Sequence, residues 1–172
     1  MKILTLLITI LSLFAYKPAF AEMPRILTPD KAVETKDNSF IGRVVRLDEI
    51  KRDESYVKAR ATVHVLNSKK EELNGSTVIV EYYSFSEIEG VFSIDFQISD
   101  SYLFAVSSVI NGKVVYNSTA SGKADQTFRI WPSTNRALSS PEQELTIKHV
   151  QFPKVMVKMT TKQLNNLITC KK

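Results

Sequence analysis

Four carboxylates near the middle of the chain are the residues best suited to acid and base chemistry. Glu81, Glu87, Glu89 and Asp95 lie in and beside an acidic stretch. Hydrolysis of a glycosidic bond uses two carboxylates at a set separation, one of them with a pKa raised by burial. The four residues therefore suggest one function, a hydrolase that acts on cell-envelope material. An exposed acidic loop is the simpler interpretation, and we assign no residue a catalytic role.

The two histidines, His64 and His149, are the other residues that could bind a metal or move a proton. Metal sites need His, Cys and carboxylate ligands that converge at fixed geometry, and neither an H-x-x-H nor a C-x-x-C spacing occurs. No G-x-S-x-G motif marks a nucleophilic serine. We interpret both histidines as solvent-facing and predict no metal and no cofactor.

Candidate contacts to a partner lie on a regularly alternating stretch, residues 57–66. Lys58, Arg60 and His64 share its polar face, and valine and alanine occupy the other face. Such alternation is typical of a half-buried antiparallel strand. Tyr83 ends the next predicted strand and completes this set of four candidate contacts.

The nature of that partner can be narrowed from the same residues. Barrels that bind single-stranded nucleic acid combine basic residues with aromatic residues, but aromatic residues on short strands more often form cross-strand pairs. An unknown protein is therefore the favoured partner, and nucleic acid is disfavoured.

Positive charge is concentrated near the C-terminus. Residues 133–172 carry seven Lys and Arg against two Asp and Glu, whereas residues 22–132 carry 14 against 16. An ordinary solvated basic surface is the default interpretation of this distribution. Weak contact with anionic envelope lipid or polysaccharide is the alternative.

Cys170 is the only cysteine, so no intrachain disulfide can form. Two interpretations stay open for this thiol. It forms an intermolecular disulfide with a second chain or another exported protein, or it is an incidental free thiol.

The first 21 residues are typical of a secretory signal peptide. Lys2 supplies the positive charge, residues 3–14 form the apolar run, and Ala19 and Ala21 form a small-x-small cleavage site. We predict cleavage after Ala21 and a periplasmic or secreted mature chain that begins at Glu22. An uncleaved N-terminal anchor is the alternative.

The remaining residues predict a short helix followed by strands. Thr28 and Pro29 suit a helix start, and Gly42 interrupts the first strand pattern, which indicates a bulge or bend. Asn111-Gly112 predicts a hairpin between residues 101–110 and 113–117, and residues 133–142 are predicted as a loop. Further strands are expected at 39–50, 57–66, 77–83, 126–131, 145–150 and 154–159, with a helix at 161–168.

The order of these elements resembles the start of a netrin-like domain, the barrel of the oligonucleotide/oligosaccharide-binding type that tissue inhibitors of metalloproteinases also use. The resemblance rests on the capped helix, on Ser39-Phe40-Ile41-Gly42-Arg43-Val44-Val45, and on Tyr102-Leu103-Phe104-Ala105-Val106. It implies a mainly β protein, and the predicted leader and the single cysteine indicate an exported, cysteine-poor bacterial type. The expected fold is a small five-stranded barrel over residues 22–132 with a short N-terminal helix, followed by a C-terminal extension, residues 133–172, that contains a short helix and packs on the same domain.

The functional residues of that family do not transfer to this chain. Metalloproteinase inhibitors use a mature N-terminal cysteine to chelate zinc, whereas Glu22-Met23-Pro24 stands at that end here. We therefore expect an exported, non-enzymatic binding module that engages a protein partner through the barrel rim or its loops.

Overall fold

A computed structural model of the chain describes residues 26–85, 94–115 and 124–169. Within these ranges the protein is mainly β, with one sheet of eight strands and three α-helices. None of the described helices is long and apolar enough to cross a membrane. The predicted leader, residues 1–21, and Cys170 lie outside the described residues. In chain order the elements are α1 (Pro29–Thr35), β1 (Phe40–Arg52), β2 (Tyr56–Ser68), β3 (Thr77–Phe85), β4 (Ser101–Ala105), β5 (Lys113–Val115), β6 (Gln126–Trp131), α2 (Asn135–Ser139), β7 (Glu144–His149), β8 (Met156–Thr160) and α3 (Thr161–Thr169).

The strands form one curled sheet with the order β5-β3-β2-β1-β4-β6-β7-β8. Neighbouring strands are antiparallel except β3 and β5, which are parallel. The mainly β class and the short helices near both ends are confirmed, but the prediction of a five-stranded closed barrel is wrong. β4 pairs with β1 on one side and with β6 on the other, so it has no free edge on which β5 could close a barrel. The sheet instead continues through β7 to β8.

The Asn111-Gly112 turn forms as predicted, whereas the long hairpin around it does not. Both residues have positive φ angles, 51° and 71°, which asparagine and glycine tolerate. Ile110 and Lys113 exchange two backbone hydrogen bonds of 3.0 and 2.9 Å across the turn. Because β4 ends at Ala105 and β5 pairs with β3, the turn delivers Lys113 to the edge of β3.

Gly42 lies at an irregularity of β1, as the glycine in the strand pattern predicted. The pairing of β1 with β2 shifts register between Ile41 and Gly42. A Cβ atom at position 42 would lie 2.4 Å from Cγ1 of Val63 and 3.3 Å from the carbonyl oxygen of His64. The close approach of β2 therefore explains the glycine.

The inner face of the curled sheet holds the larger core. The predicted alternation of β2 is confirmed, since Ala59, Ala61, Val63 and Val65 are buried on this face. They pack with buried side chains of β1, β3, β4 and β5. Alternate residues of β2 consequently point to the outer face, where the candidate partner contacts lie.

Aromatic rings attach residues 94–100 to this core. The ring of Phe96 makes edge contacts with Tyr82 and Tyr102, at centroid distances of 4.8 and 4.9 Å. The hydroxyl of Tyr102 accepts a hydrogen bond of 2.9 Å from the amide of Gln97, and burial raises the pKa of Tyr102 to about 12. The C-terminal part of the predicted acidic loop is therefore held against the core.

A second core lies on the outer face, over β4, β6, β7 and the start of β1. Buried side chains there, including Ile41 and Leu103, are covered by all three helices, with Val33 from α1, Ala137 from α2 and Leu164 from α3. The helix α2 corrects the prediction of a loop over residues 133–142. The hydroxyl of Thr134 accepts a hydrogen bond of 3.2 Å from the amide of Ala137, which caps the helix start.

A buried ion pair fixes the segment that joins α1 to the sheet. The ammonium of Lys36 lies 3.0 Å from the carboxylate of Asp125, and both side chains are almost fully buried. Asp125 also accepts hydrogen bonds of 2.9 Å from the amide and the hydroxyl of Ser107. This pair therefore ties together three segments that are distant in the sequence.

Candidate partner-binding face

The outer side of β2 and β3 carries three of the four predicted contact residues close together. We call it the β2–β3 face and define it by Lys58, Arg60, Thr62 and His64 on β2 and by Ile79, Glu81 and Tyr83 on β3. Lys58 stands opposite Tyr83, and Arg60 opposite Glu81, in the antiparallel register. Opposed residues of paired strands share a face, so the structure brings Lys58, Arg60 and Tyr83 together.

Glu81 is the centre of the charged part of this face. Its carboxylate lies 2.7 Å from the ammonium of Lys113 and 3.4 Å from both Lys58 and Arg60. The Glu81 side chain is only 9% exposed, whereas the three cations are 32 to 47% exposed. The hydrogen bond from Lys113, with the nearby charges, holds the pKa of Glu81 below its usual value despite burial.

Lys113 is a residue of this site that sequence reasoning missed. It reaches Glu81 because β5 pairs in parallel with β3, which places Lys113 opposite Ile79. Local sequence contains no signal for this contact, because Lys113 follows Asn111-Gly112, a turn that predicts a hairpin with the preceding residues. Only the long-range pairing of the strands reveals it.

Aromatic side chains extend the face towards the β1–β2 turn. The rings of Tyr83 and Tyr56 make an edge contact at a centroid distance of 5.6 Å, and Tyr83 remains 46% exposed. The ammonium of Lys51 lies 5.6 Å from the centre of the Tyr56 ring and donates a hydrogen bond of 3.3 Å to its hydroxyl. Tyr83 and Tyr56 therefore lie between the cations around Glu81 and the further cation Lys51.

His64 is exposed on the same face, as predicted, but it stands apart from the charged centre. It lies opposite Arg43 on β1 and Thr77 on β3. It lies four positions after Arg60, which is about 13 Å along a strand. His64 is therefore a peripheral member of the β2–β3 face.

His149 was predicted to face solvent, and this is wrong. Its side chain is 2% exposed and packs between the rings of Phe128 and Phe152, at 5.0 and 5.1 Å. Burial lowers the pKa of His149 to about 4. Period-two burial of β7 places position 149 on the same side of the strand as Leu145 and Ile147. The neighbours Lys148 and Val150 did not indicate this burial from the sequence.

The predicted carboxylate set does not assemble as an acid and base pair in the part of the chain that the structure describes. Glu81 is surrounded by cations, so it is held ionised, which is unsuited to a proton donor. Asp95 is exposed and accepts a hydrogen bond of 3.2 Å from Gln97. Glu87 and Glu89 lie outside the described residues.

No group of three or more His, Cys, Asp or Glu side chains among residues 26–85, 94–115 and 124–169 is placed to hold a metal ion. Comparison of the chain with protein-family models, with curated proteins and with solved structures gave no match. Among the described residues, the β2–β3 face brings partly exposed cations and a tyrosine together on adjacent strands.

Proposed function

We propose that this protein is an exported, non-enzymatic binding module that engages a protein partner through its β2–β3 face. The observation that carries the proposal is the alignment of Lys58, Arg60 and Tyr83, all partly exposed, on two adjacent strands. Arginine and tyrosine are enriched in protein interfaces and are common among the residues that dominate binding. A rigid sheet holds these side chains at set spacings, which favours specific recognition.

The resemblance to netrin-like barrels belongs to this proposal. The first strand of a small barrel pairs with two neighbours, and β1 pairs with β2 and with β4 here. The sheet nevertheless stays open between β4 and β5 and grows by three further strands. Barrels of this type bind oligonucleotides and oligosaccharides on the surface of strands 2 and 3. This comparison supports the location of a binding surface at the β2–β3 face, and the protein partner is argued from the side chains there.

A hydrolase is the less supported alternative. It needs a carboxylic acid whose pKa is raised, and the pKa of Glu81 is lowered. Turnover of a cell-envelope substrate by the purified chain would nevertheless favour it over the binding module.

A capture experiment with matched variants tests the proposal. Full-length chain, tagged at its C-terminus and exported by its host, is used to capture partners from periplasmic or secreted extract. We expect a protein that the parent chain retains and that Lys58→Ala/Arg60→Ala loses. The matched control is Lys148→Ala/Lys162→Ala, which removes the same charge from exposed positions of β7 and α3.

The control variant should retain the partner like the parent chain. Equal capture by all three chains would contradict the use of the β2–β3 face. Absence of any specific partner, together with turnover of a substrate, would contradict the binding function itself.

A further inference from the structure

We propose that the β2–β3 face binds an extended acidic segment of its partner protein, with acidic side chains at alternate positions, and that Glu81 positions the cations that read this spacing. The inference rests on the proposed function and specifies the chemistry of the partner.

The cations at the centre of the face outnumber its carboxylate, so this centre is complementary to an acidic partner. Three cations, Lys58, Arg60 and Lys113, surround the single carboxylate of Glu81, so the cluster has a net charge of +2. Lys113 makes the close contact at 2.7 Å. The 3.4 Å distances from Lys58 and Arg60 are longer than the 2.7–2.9 Å of a strong charged hydrogen bond. These two cations therefore retain bonding capacity for a second anion.

The guanidinium of Arg60 can accept a further anionic partner. Its side chain is 43% exposed, and its contact with Glu81 is 3.4 Å long. An arginine that receives a carboxylate forms short charged hydrogen bonds. An acidic side chain of the partner would therefore supply a closer acceptor to the exposed part of this guanidinium.

The spacing of the cations selects an extended segment. Lys58 and Arg60 are alternate residues of one strand, so their backbone positions are about 7 Å apart. An extended peptide presents its own alternate side chains on one side with the same period. Acidic residues at positions i and i+2 of the partner therefore match Lys58 and Arg60.

Tyrosine completes the face. Tyr83 lies opposite Lys58, is 46% exposed, and is braced by the ring of Tyr56. A braced tyrosine supplies apolar contact area with little loss of conformational entropy. It would pack against the side chain or backbone that separates two acidic residues of the segment.

Acidic residues within the surface argue for a protein segment over a continuous polyanion. Asp48 stands opposite Arg60 on β1, and Asp53 lies 3.5 Å from Lys51. A membrane surface or a nucleic acid would bring negative charge against these carboxylates, which is repulsive. A protein segment with discrete acidic side chains can contact the cations and keep its own negative charge away from the carboxylates of Asp48 and Asp53.

Peptides of fixed composition test the inference on the full chain. One labelled peptide has four glutamates at alternate positions separated by threonine, and its isomer has the same glutamates in one block. Fluorescence anisotropy measures both, beside vesicles that contain phosphatidylglycerol and a thymidine oligonucleotide. We expect the alternating peptide to bind on the order of tenfold tighter than the block isomer, and the Kd to rise with salt.

Variants separate recognition from general charge. Lys58→Ala/Arg60→Ala should raise the Kd of the alternating peptide on the order of tenfold, a typical effect of truncating interface charges. Lys148→Ala/Lys162→Ala should leave this Kd unchanged. Glu81→Gln adds net positive charge, so general attraction predicts tighter binding of both peptides with their ratio preserved. A positioning role for Glu81 predicts instead that the two peptides bind equally.

Melting temperatures verify that each variant is folded. If Glu81→Gln is not folded, Glu81→Asp replaces it, because it shortens the side chain that contacts the cations and should also make the two peptides bind equally. Tighter binding of vesicles or oligonucleotide than of the alternating peptide would overturn the inference, as would an unchanged peptide ratio in the folded Glu81 variant. Capture of a protein that depends on Lys58 and Arg60, together with equal binding of the alternating peptide and its block isomer by the parent chain, would overturn this inference alone. Failure to capture any protein would count against the proposed function.

Discussion

The Nδ1 atom of His149 accepts a hydrogen bond of 3.1 Å from the backbone amide of Phe152. The same atom accepts a second one, also of 3.1 Å, from the amide of Gln151. Both bonds require an unprotonated Nδ1, because a protonated nitrogen donates and cannot accept. The neutral imidazole therefore holds the connection between β7 and β8 in place.

Acidification should reduce stability through this histidine. Its pKa is about 4 in the folded protein against 6.5 as the reference, so the unfolded chain takes up the proton first. The neutral imidazole therefore contributes its full stability above pH 6.5, and this contribution to the free energy of unfolding is lost progressively as the pH falls towards 4. At about pH 5 we expect a loss of about 2 kcal/mol, or roughly 4–8 °C in Tm, measured by thermal denaturation.

The two histidines form a matched pair for this experiment. His64→Gln changes an exposed residue and should leave the decrease between about pH 7.5 and 5 intact. His149→Gln is expected to lower the Tm at neutral pH but to flatten its dependence on pH. An unchanged dependence in His149→Gln would show that other groups cause it.

A side chain added at Gly42 should destabilise the protein, because β2 packs closely against this position. In Gly42→Ala the new Cβ meets Cγ1 of Val63 at 2.4 Å, and we expect a loss of about 1–3 kcal/mol in the free energy of unfolding. Gly42→Val should cost at least as much. Combining Gly42→Ala with Val63→Ala removes the colliding methyl group, so the double variant should be more stable than the sum of the two losses predicts. Additive losses from chemical denaturation would contradict the steric explanation.

The two faces of β2 should respond differently to truncation. Val63 is fully buried, and Val63→Ala should cost about 1–3 kcal/mol through lost burial and a cavity. Lys58→Ala removes a partly exposed cation from the other face, and its effect on unfolding should stay within about 0.5 kcal/mol. Urea denaturation of both variants measures the contrast, and a large loss in Lys58→Ala would mean that Glu81 depends on this partner for stability.

The buried pair Lys36–Asp125 should be sensitive to loss of one member. Lys36→Met leaves the carboxylate of Asp125 buried without its cation, and we expect a loss of about 3–5 kcal/mol. Lys36→Met/Asp125→Asn removes the charge and keeps an oxygen acceptor for Ser107, so it should be more stable than the single variant. Chemical denaturation of both variants decides this, and the opposite order would be inconsistent with an electrostatic penalty.

Export should remove the first 21 residues. Expression in a bacterial host, followed by N-terminal sequencing and intact mass of the exported chain, should give a start at Glu22. Bulky residues at positions 19 and 21 should block the cleavage, because signal peptidase requires small residues there. Retention of residues 1–21 in membrane-bound parent protein would favour the uncleaved anchor.

Much of the local structure was predictable because it depends on neighbours in sequence. The alternation of residues 57–66 predicted both the strand and its two faces, and Thr28-Pro29 predicted the start of α1. Asn111-Gly112 predicted a turn, because few other residue pairs accept two positive φ angles. These features need no knowledge of which strands pair.

The identity of strand partners was not predictable in the same way. The backbone groups of β4 can pair with any strand, and residues 101–105 contain no preference for β6 over β5. The pairing of β4 with β6 instead buries both faces of β4 at once. Tyr102 and Phe104 enter the inner core, and Leu103 enters the outer core. Such packing involves residues far apart in the chain.

The spacing of Lys58, Arg60 and His64 is enough to place them on one polar strand face, because side chains alternate along any strand. The contact of Lys113 with Glu81 and the burial of His149 depend instead on long-range packing. Each of these outcomes depends on a strand or loop that arrives from elsewhere: β5 beside β3, and Phe152 folded back over β7. Contacts of that kind follow from the burial of the whole chain, which a local pattern does not encode.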